Sequence, residues 1–131
     1  MGQHLITDIS VKALIERDGK VLIVLDRKWE LPGGRMNVGE QPEEALHREI
    51  EEELKVKISV LGIQDALTTT SEKTGQRHFI IVYRCELTED KAFHLDGNEV
   101  QDTRWVSTND DLSTIPFFVG YPEMLKKFFK K

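Results

Sequence analysis

The chain has 131 residues, 39% hydrophobic and 31% charged, with a formal net charge of −5. That size predicts one domain over residues 1–131, long enough to bury about two-thirds of its unfolded surface. The acidic balance argues against a general nucleic-acid binder, and no run approaches the roughly 18 apolar residues of a membrane span. Met1–Ser10 lacks the basic start and apolar core of a signal peptide, so a cytoplasmic protein is expected. Cys85 is alone, which excludes an intrachain disulfide and a cysteine-based zinc site, and its apolar surroundings predict a buried thiol.

Ile9, Val11, Ala13 and Ile15 alternate with Ser10, Lys12 and Leu14, a pattern that predicts a strand buried on one face. Asp18-Gly19 is a hairpin turn signal, and Val21 to Leu25 then reads as a central apolar strand. Trp29 to Gly34 breaks regular structure. Pro42 suits the first turn of a helix, where its missing N–H is not needed, and that helix should run to about Leu54. Residues 57–69 and 76–87 read as extended, joined by a turn at 71–75. A polar loop over 88–98 precedes a strand over 99–107, and residues 109–112 start a short helix. The last helix covers Tyr121 to Lys130, with Met124, Leu125, Phe128 and Phe129 on its buried side. The basic run Lys126 to Lys131 reads as cations at the negative end of a helix dipole, in preference to a phosphate-binding tail. No repeat or linker to a second domain is visible. The fold class is α/β, a mixed sheet with helices packed on it.

One helix is unusual. Glu49, Glu52 and Glu53 stand at i, i+3 and i+4, so they share a stripe. Like charges at this spacing cost roughly 0.2–0.5 kcal/mol per pair, so a cation against the stripe is expected. Oxygen-only ligands favour magnesium or manganese. At 100° per residue, Leu46, Ile50 and Leu54 should face the core, while the three carboxylates gather around Ala45 on the adjoining arc. Arg48 is spaced to pair with Glu44 or Glu52, and Glu51 with Lys55 as a solvated ion pair. A bare Glu-x-x-Glu-Glu is most often a solvated helix face. The loop before it tells against that reading: Gly33 and Gly34 permit close backbone approach, and Gly39 lets the chain turn back before Glu40.

The stretch from Gly34 to Val56 resembles the signature of the Nudix hydrolases: Gly, five residues, Glu, seven residues, then Arg-Glu-apolar-x-Glu-Glu-x-Gly-apolar. Gly34, Glu40, Arg48, Glu49, Ile50, Glu52, Glu53 and Val56 match in register. Lys55 departs from it where the pattern has Gly. Because Lys takes a left-handed conformation less readily, an altered helix exit is expected.

The resemblance implies an alpha/beta/alpha sandwich, a Mg²⁺ or Mn²⁺ cofactor and a nucleotide substrate. The implied reaction splits the phosphoanhydride of a nucleoside diphosphate linked to a group X, releasing a nucleoside monophosphate. It also implies Glu49, Glu52 and Glu53 as metal ligands, Glu52 foremost, with Glu40 and Arg48 in support. Glu99 resembles a later-loop general base, and an exposed loop acid is an equal reading. Arg27 or Lys28 could hold a phosphate, with Gly33 and Gly34 close to the substrate. Trp29 could stack on a base or cap the core. His78 opens a strand that could cross the site, and Phe117 and Phe118 could line a base pocket or pack in the core.

Residues 70–74 hold neither the Pro of ADP-ribose hydrolases nor the Tyr of dinucleoside polyphosphate hydrolases, which tilts the expectation to a nucleoside triphosphate. The alternatives are an ADP-ribose or nucleotide-sugar pyrophosphatase and a non-catalytic nucleotide-binding module. The complete carboxylate set opposes the last of these. A homodimer is compatible with the resemblance, though no interface is legible.

Overall fold

Residues 2–130 are described by a computed structural model; Met1 and Lys131, the last of the basic run, lie outside them. The strands are β1 (Asp8–Arg17), β2 (Lys20–Asp26), β3 (Lys28–Glu30), β4 (Gly33–Arg35), β5 (Ile58–Thr70), β6 (Arg77–Leu87) and β7 (Asp102–Val106). The helices are α1 (Pro42–Leu54) and α2 (Tyr121–Phe129), with a 3-10 turn at Leu112–Thr114. Strand order is β3-β2-β1-β6-β5, with β4 added to β1 and β7 to β2. The β1–β6 pair is parallel and the others are antiparallel, so the sheet is mixed.

The helices lie on opposite faces of this sheet, giving an alpha/beta/alpha sandwich. On one face, Ala45, Leu46, Ile50 and Leu54 of α1 pack on Val11, Ala13, Ile15, Leu22 and Val24. On the other, Met124, Leu125 and Phe128 of α2 pack on Leu14, Val21, Ile23, Ile80 and Val82. Fully burying one such aliphatic side chain is worth about 1.5–3 kcal/mol. The anchors Leu46, Ile50 and Leu54 therefore outweigh the repulsion among the glutamates of α1, which amounts to about 1 kcal/mol or less.

Local signals set the element ends. Asp18 and Gly19 both have positive φ, 54° and 76°, the backbone required of a two-residue hairpin turn. Pro42 opens α1, and the Gln41 N–H donates to Glu44 at 2.8 Å. Lys55 ends α1 in the left-handed conformation, φ 58° and ψ 39°. The expected change of exit does not occur: Lys55 adopts the geometry usual for Gly, and its Nζ donates to the Glu52 carbonyl at 2.8 Å, not to the Glu51 carboxylate.

Other expectations need correction. β1 is buried on both faces, because α2 and a cleft cover the side that carries Ser10, Lys12 and Leu14. Trp29 to Gly34 is not irregular throughout; β3 and β4 are short strands flanking Leu31-Pro32. β7 begins at Asp102, so Glu99 stands in the loop before it.

Candidate active site

A cleft of about 430 Å³ opens where β4, the N-terminal end of β1, the start of β6 and the loop before β7 meet. Its acidic end is built by α1 and the Gly33-Gly34 strand. Gly33 has φ 135°, and a Cβ there would lie 2.1 Å from the Val11 carbonyl oxygen. A Cβ on Gly34 would lie 2.6 Å from the Glu49 carboxylate carbon. The two glycines thus let β4 lie against β1 on one side and against Glu49 on the other.

Glu49, Glu53 and Glu99 each bring a carboxylate oxygen into one group, all within 4.8 Å of one another. Glu49 and Glu53 are 8% and 4% exposed, whereas Glu99 is exposed. The Gly33 N–H donates to Glu53 at 3.2 Å. Asp96 Oδ1 accepts the N–H groups of Asn98, Glu99 and Val100 at 3.1–3.2 Å, which fixes the loop that presents Glu99. Burial pushes the Glu53 carboxyl well above the usual range; Lys12 and the Gly33 N–H oppose this, and the charges of Glu49 and Glu30 add to it. Burial, then Glu49 and Asp96, raise Glu99 as well.

Arg48 organises the outer side of the group. Its Nε and Nη2 donate to Glu40 at 2.6 and 2.9 Å, a bidentate pair, and Nη1 donates to Glu49 at 2.9 Å and to Glu52 at 3.3 Å. Nη2 also donates to the Arg35 carbonyl at 3.1 Å, tying α1 to β4. The Arg48 hydrogen bond, followed by the Asn37 N–H, holds the Glu40 carboxyl down at about 2. Arg48 does not pair with Glu44, whose carboxylate is taken by Gln41.

Beside the acidic end lies an ion network with a buried pair, Lys12 and Glu30, at its centre. Lys12 Nζ donates to Glu30 at 2.9 Å and to the Gly33 carbonyl at 3.2 Å. Lys73 Nζ reaches from the β5–β6 turn to Asp26 at 2.6 Å and Glu30 at 3.4 Å. Burial alone would lower the Lys12 pKa, but Glu30, Tyr121 and Glu53 outweigh it and keep the ammonium charged.

The expected site residues therefore separate. Gly33, Gly34, Glu49, Glu53 and Glu99 come together, with Glu40 and Arg48 behind them. Glu52, the foremost expected ligand, is exposed on the Arg48 side and outside the 4.8 Å group. Arg27 and Trp29 do not line the cleft. Trp29 packs against the α2-side core, and its backbone bonds to Phe118 and Pro116. The Arg27 guanidinium sits 5.9 Å from the Phe118 ring. Phe118 does line the cleft, as do Lys12, Ser10, Glu30 and Tyr121, which the sequence reading did not select. The only signal for Ser10 and Lys12 was a polar pair in an otherwise apolar strand, and that pattern ordinarily means a solvent face.

The NUDIX domain pattern matches residues 7–128 of the 131. The chain belongs to the NUDIX family. The nucleoside triphosphatase NudI of Enterobacter sp. (strain 638) is 31% identical over 102 residues, 70% of each protein. An 8-oxo-dGTP diphosphatase of Proteus vulgaris is 36% identical over 70 residues, 49% of this chain and 60% of that protein. The MutT protein of Methanosarcina mazei Go1 has a solved structure that superposes with TM-score 0.81 at 24% identity, covering 98% of this chain and 97% of its own. The chain spans only 51% of a MutT-like protein of Streptomyces ambofaciens and 37% of the m7GpppN-mRNA hydrolase NUDT17 of Xenopus laevis. NUDIX hydrolases generally use divalent metals, and the donor set here fits one: oxygen ligands only, with two buried carboxylates and a third at the surface. Among the described residues no helix is long and apolar enough to cross a membrane.

Proposed function

We propose that this chain is a pyrophosphohydrolase that splits the phosphoanhydride of a nucleoside triphosphate or a related nucleoside diphosphate derivative, releasing a nucleoside monophosphate. The observation that carries the reading is the group Glu49, Glu53 and Glu99 beneath Gly33-Gly34. Two of its members are buried, and the ion pairs among the described residues leave Glu53 and Glu99 without a cation of the chain's own within 4 Å. Of these two Glu53 is the buried one, and a buried carboxylate in that condition calls for an external cation. Mg²⁺ or Mn²⁺ supplies Lewis-acid polarisation of phosphate oxygens when bound.

The chain's residues do the rest. Glu49 and Glu53 would hold the cation, and Glu52 would be a further ligand. Arg48 fixes Glu49 and Glu40 so that the group is preorganised, and Gly33-Gly34 leave backbone room for the phosphates. Glu99, the exposed member with a raised pKa, accepts the proton of the attacking water. A nucleoside triphosphate is favoured because NudI and the 8-oxo-dGTP diphosphatase act on that class, as their names state. The structural likeness to a UDP-X diphosphatase, TM-score 0.76 at 24% identity, keeps a nucleotide-sugar pyrophosphatase as the second reading.

The test is hydrolysis of NTPs, dNTPs, ADP-ribose, nucleotide sugars and dinucleoside polyphosphates with Mg²⁺, Mn²⁺ or chelator. Metal-dependent release of a nucleoside monophosphate from triphosphates is expected. Turnover of nucleotide sugars alone selects the second reading, and tight binding without any turnover overturns the enzymatic one.

A further inference from the structure

The same sheet face that is apolar under α2 turns polar where it enters the cleft. Along β1 it passes from Leu14 through Lys12 to Ser10. Along β6 it passes from Val82 and Ile80 to His78, and along β5 from Leu67 to Thr69. Ser10 is opposite Arg35 of β4 and His78 is opposite Thr69, whereas between β1 and β6 the register sets Ser10 against Ile80 and His78 against Asp8, so the Ser10 and His78 side chains meet diagonally. Arg35, Ser10, His78 and Thr69 form a polar row, stepped between β1 and β6, across four adjacent strands, and all line the cleft.

At its centre, Ser10 Oγ and His78 Nε2 share a hydrogen bond at 2.6 Å, its direction set by the imidazole tautomer. Ser10 is 2% exposed although it lines the cleft. The bond to Ser10 is the one side-chain hydrogen bond His78 makes among the described residues, which leaves the other ring nitrogen for a ligand. Burial, then the nearby Lys12 ammonium, lowers the His78 pKa, which favours the uncharged ring. A neutral imidazole with a hydroxyl offers donor and acceptor together. Ile80 and Phe118 line the same cleft and supply apolar surface beside them.

Phosphates have the acidic, cation-binding end of the cleft, and this row is the part whose central groups are uncharged. We propose that Ser10 and His78 read the hydrogen-bonding edge of the substrate's nucleobase and set which nucleotides are hydrolysed, an inference that rests on the pyrophosphohydrolase reading above. A site that pairs buried polar groups with a ligand discriminates strongly against ligands that leave them unpaired.

The experiment compares wild type with Ser10→Ala, His78→Leu and His78→Gln in Mg²⁺-dependent hydrolysis of ATP, GTP, CTP, UTP and their deoxy forms. Wild type should rank the bases. Ser10→Ala and His78→Leu should raise KM for the preferred base by about tenfold, leave kcat and the Mg²⁺ dependence in place, and flatten the ranking. His78→Gln, which keeps a donor and an acceptor, should recover part of the preference. An unchanged KM and ranking in Ser10→Ala and His78→Leu overturns the proposal, as does an equal loss of kcat for every base. If wild type hydrolyses no nucleotide, the enzymatic reading fails separately. The base-reading proposal is then decided by titrating non-hydrolysable ATP and GTP analogues against the His78 imidazole NMR signals: base-dependent shifts support it, and their absence overturns it.

Discussion

Glu30 and Glu53 are two glutamates buried to nearly the same depth, 7% and 4% exposed, in the wall of one cleft. Glu30 is furnished with partners from within the chain: Lys12, Lys73 and the Tyr121 hydroxyl, which donates at 3.5 Å. Glu53 has one backbone N–H, two more carboxylates and, among the described residues, no cation within 4 Å, Lys12 acting on it only from farther away. The first is a closed electrostatic unit and the second an open one. Burial alone therefore does not separate a structural carboxylate from a ligating one; the accounting of counter-charge does.

The strongest way to break this contrast is substitution of the open site. Glu53→Gln is expected to lower metal-dependent turnover by roughly a hundredfold with little loss of stability, measured by kcat and by urea unfolding. Glu52→Gln, outside the group but tied to it through Arg48, should cost roughly tenfold to a hundredfold; full activity would remove Glu52 from the ligand set. The closed unit should respond in the opposite currency. Lys12→Met leaves Glu30 buried beside a single, partly exposed Lys73, and should cost roughly 3–5 kcal/mol in urea unfolding. An equal loss in Glu53→Gln would erase the distinction between the two glutamates.

Acidity sharpens it further. In metal-free protein the folded chain keeps the Glu53 proton up to about 8, while the unfolded chain releases it near 4.5. Between those values the folded state binds the extra proton, so stability from this group is complete below the lower value and is lost as pH rises to the upper one. Urea midpoints at about pH 5 and about pH 8 should show that fall, and added Mg²⁺ or Glu53→Gln should flatten it. The smallest effect is a control on the helix that carries the site. Lys55→Gly relieves a left-handed Lys without touching either glutamate, and should raise stability by about 0.5–1 kcal/mol at unchanged turnover.

Legibility followed the range of the interactions. The span of α1, its apolar anchors and the closeness of the glycine loop depend on neighbours a few residues away, and the residue order carried them. Glu99 joins Glu49 and Glu53 only through the β2–β7 pairing and the Asp96 turn, so its place rested on resemblance. The closed network was hidden for the same reason: Lys12, Glu30, Lys73 and Tyr121 lie on four separate segments, and nothing local distinguishes a buried lysine from a solvated one. Trp29 was open to two readings because an aromatic beside a loop serves core and ligand equally, and its packing on the α2-side core, outside the cleft lining, assigns it to the core. Lys55 shows the limit of a motif departure, since tertiary packing of Leu54 and Val56 on either side imposes the left-handed turn on a residue that resists it.

The lone thiol has a use of its own. Cys85 is wholly enclosed on β6 between β1 and β5, and burial pushes its pKa up to about 12, so the native chain offers a thiol reagent neither access nor thiolate. Its labelling must wait for the middle of the sheet to come apart. The chain thus carries an intrinsic clock for global opening, one that would register any cation or nucleotide that holds the fold shut without a probe being added near the cleft.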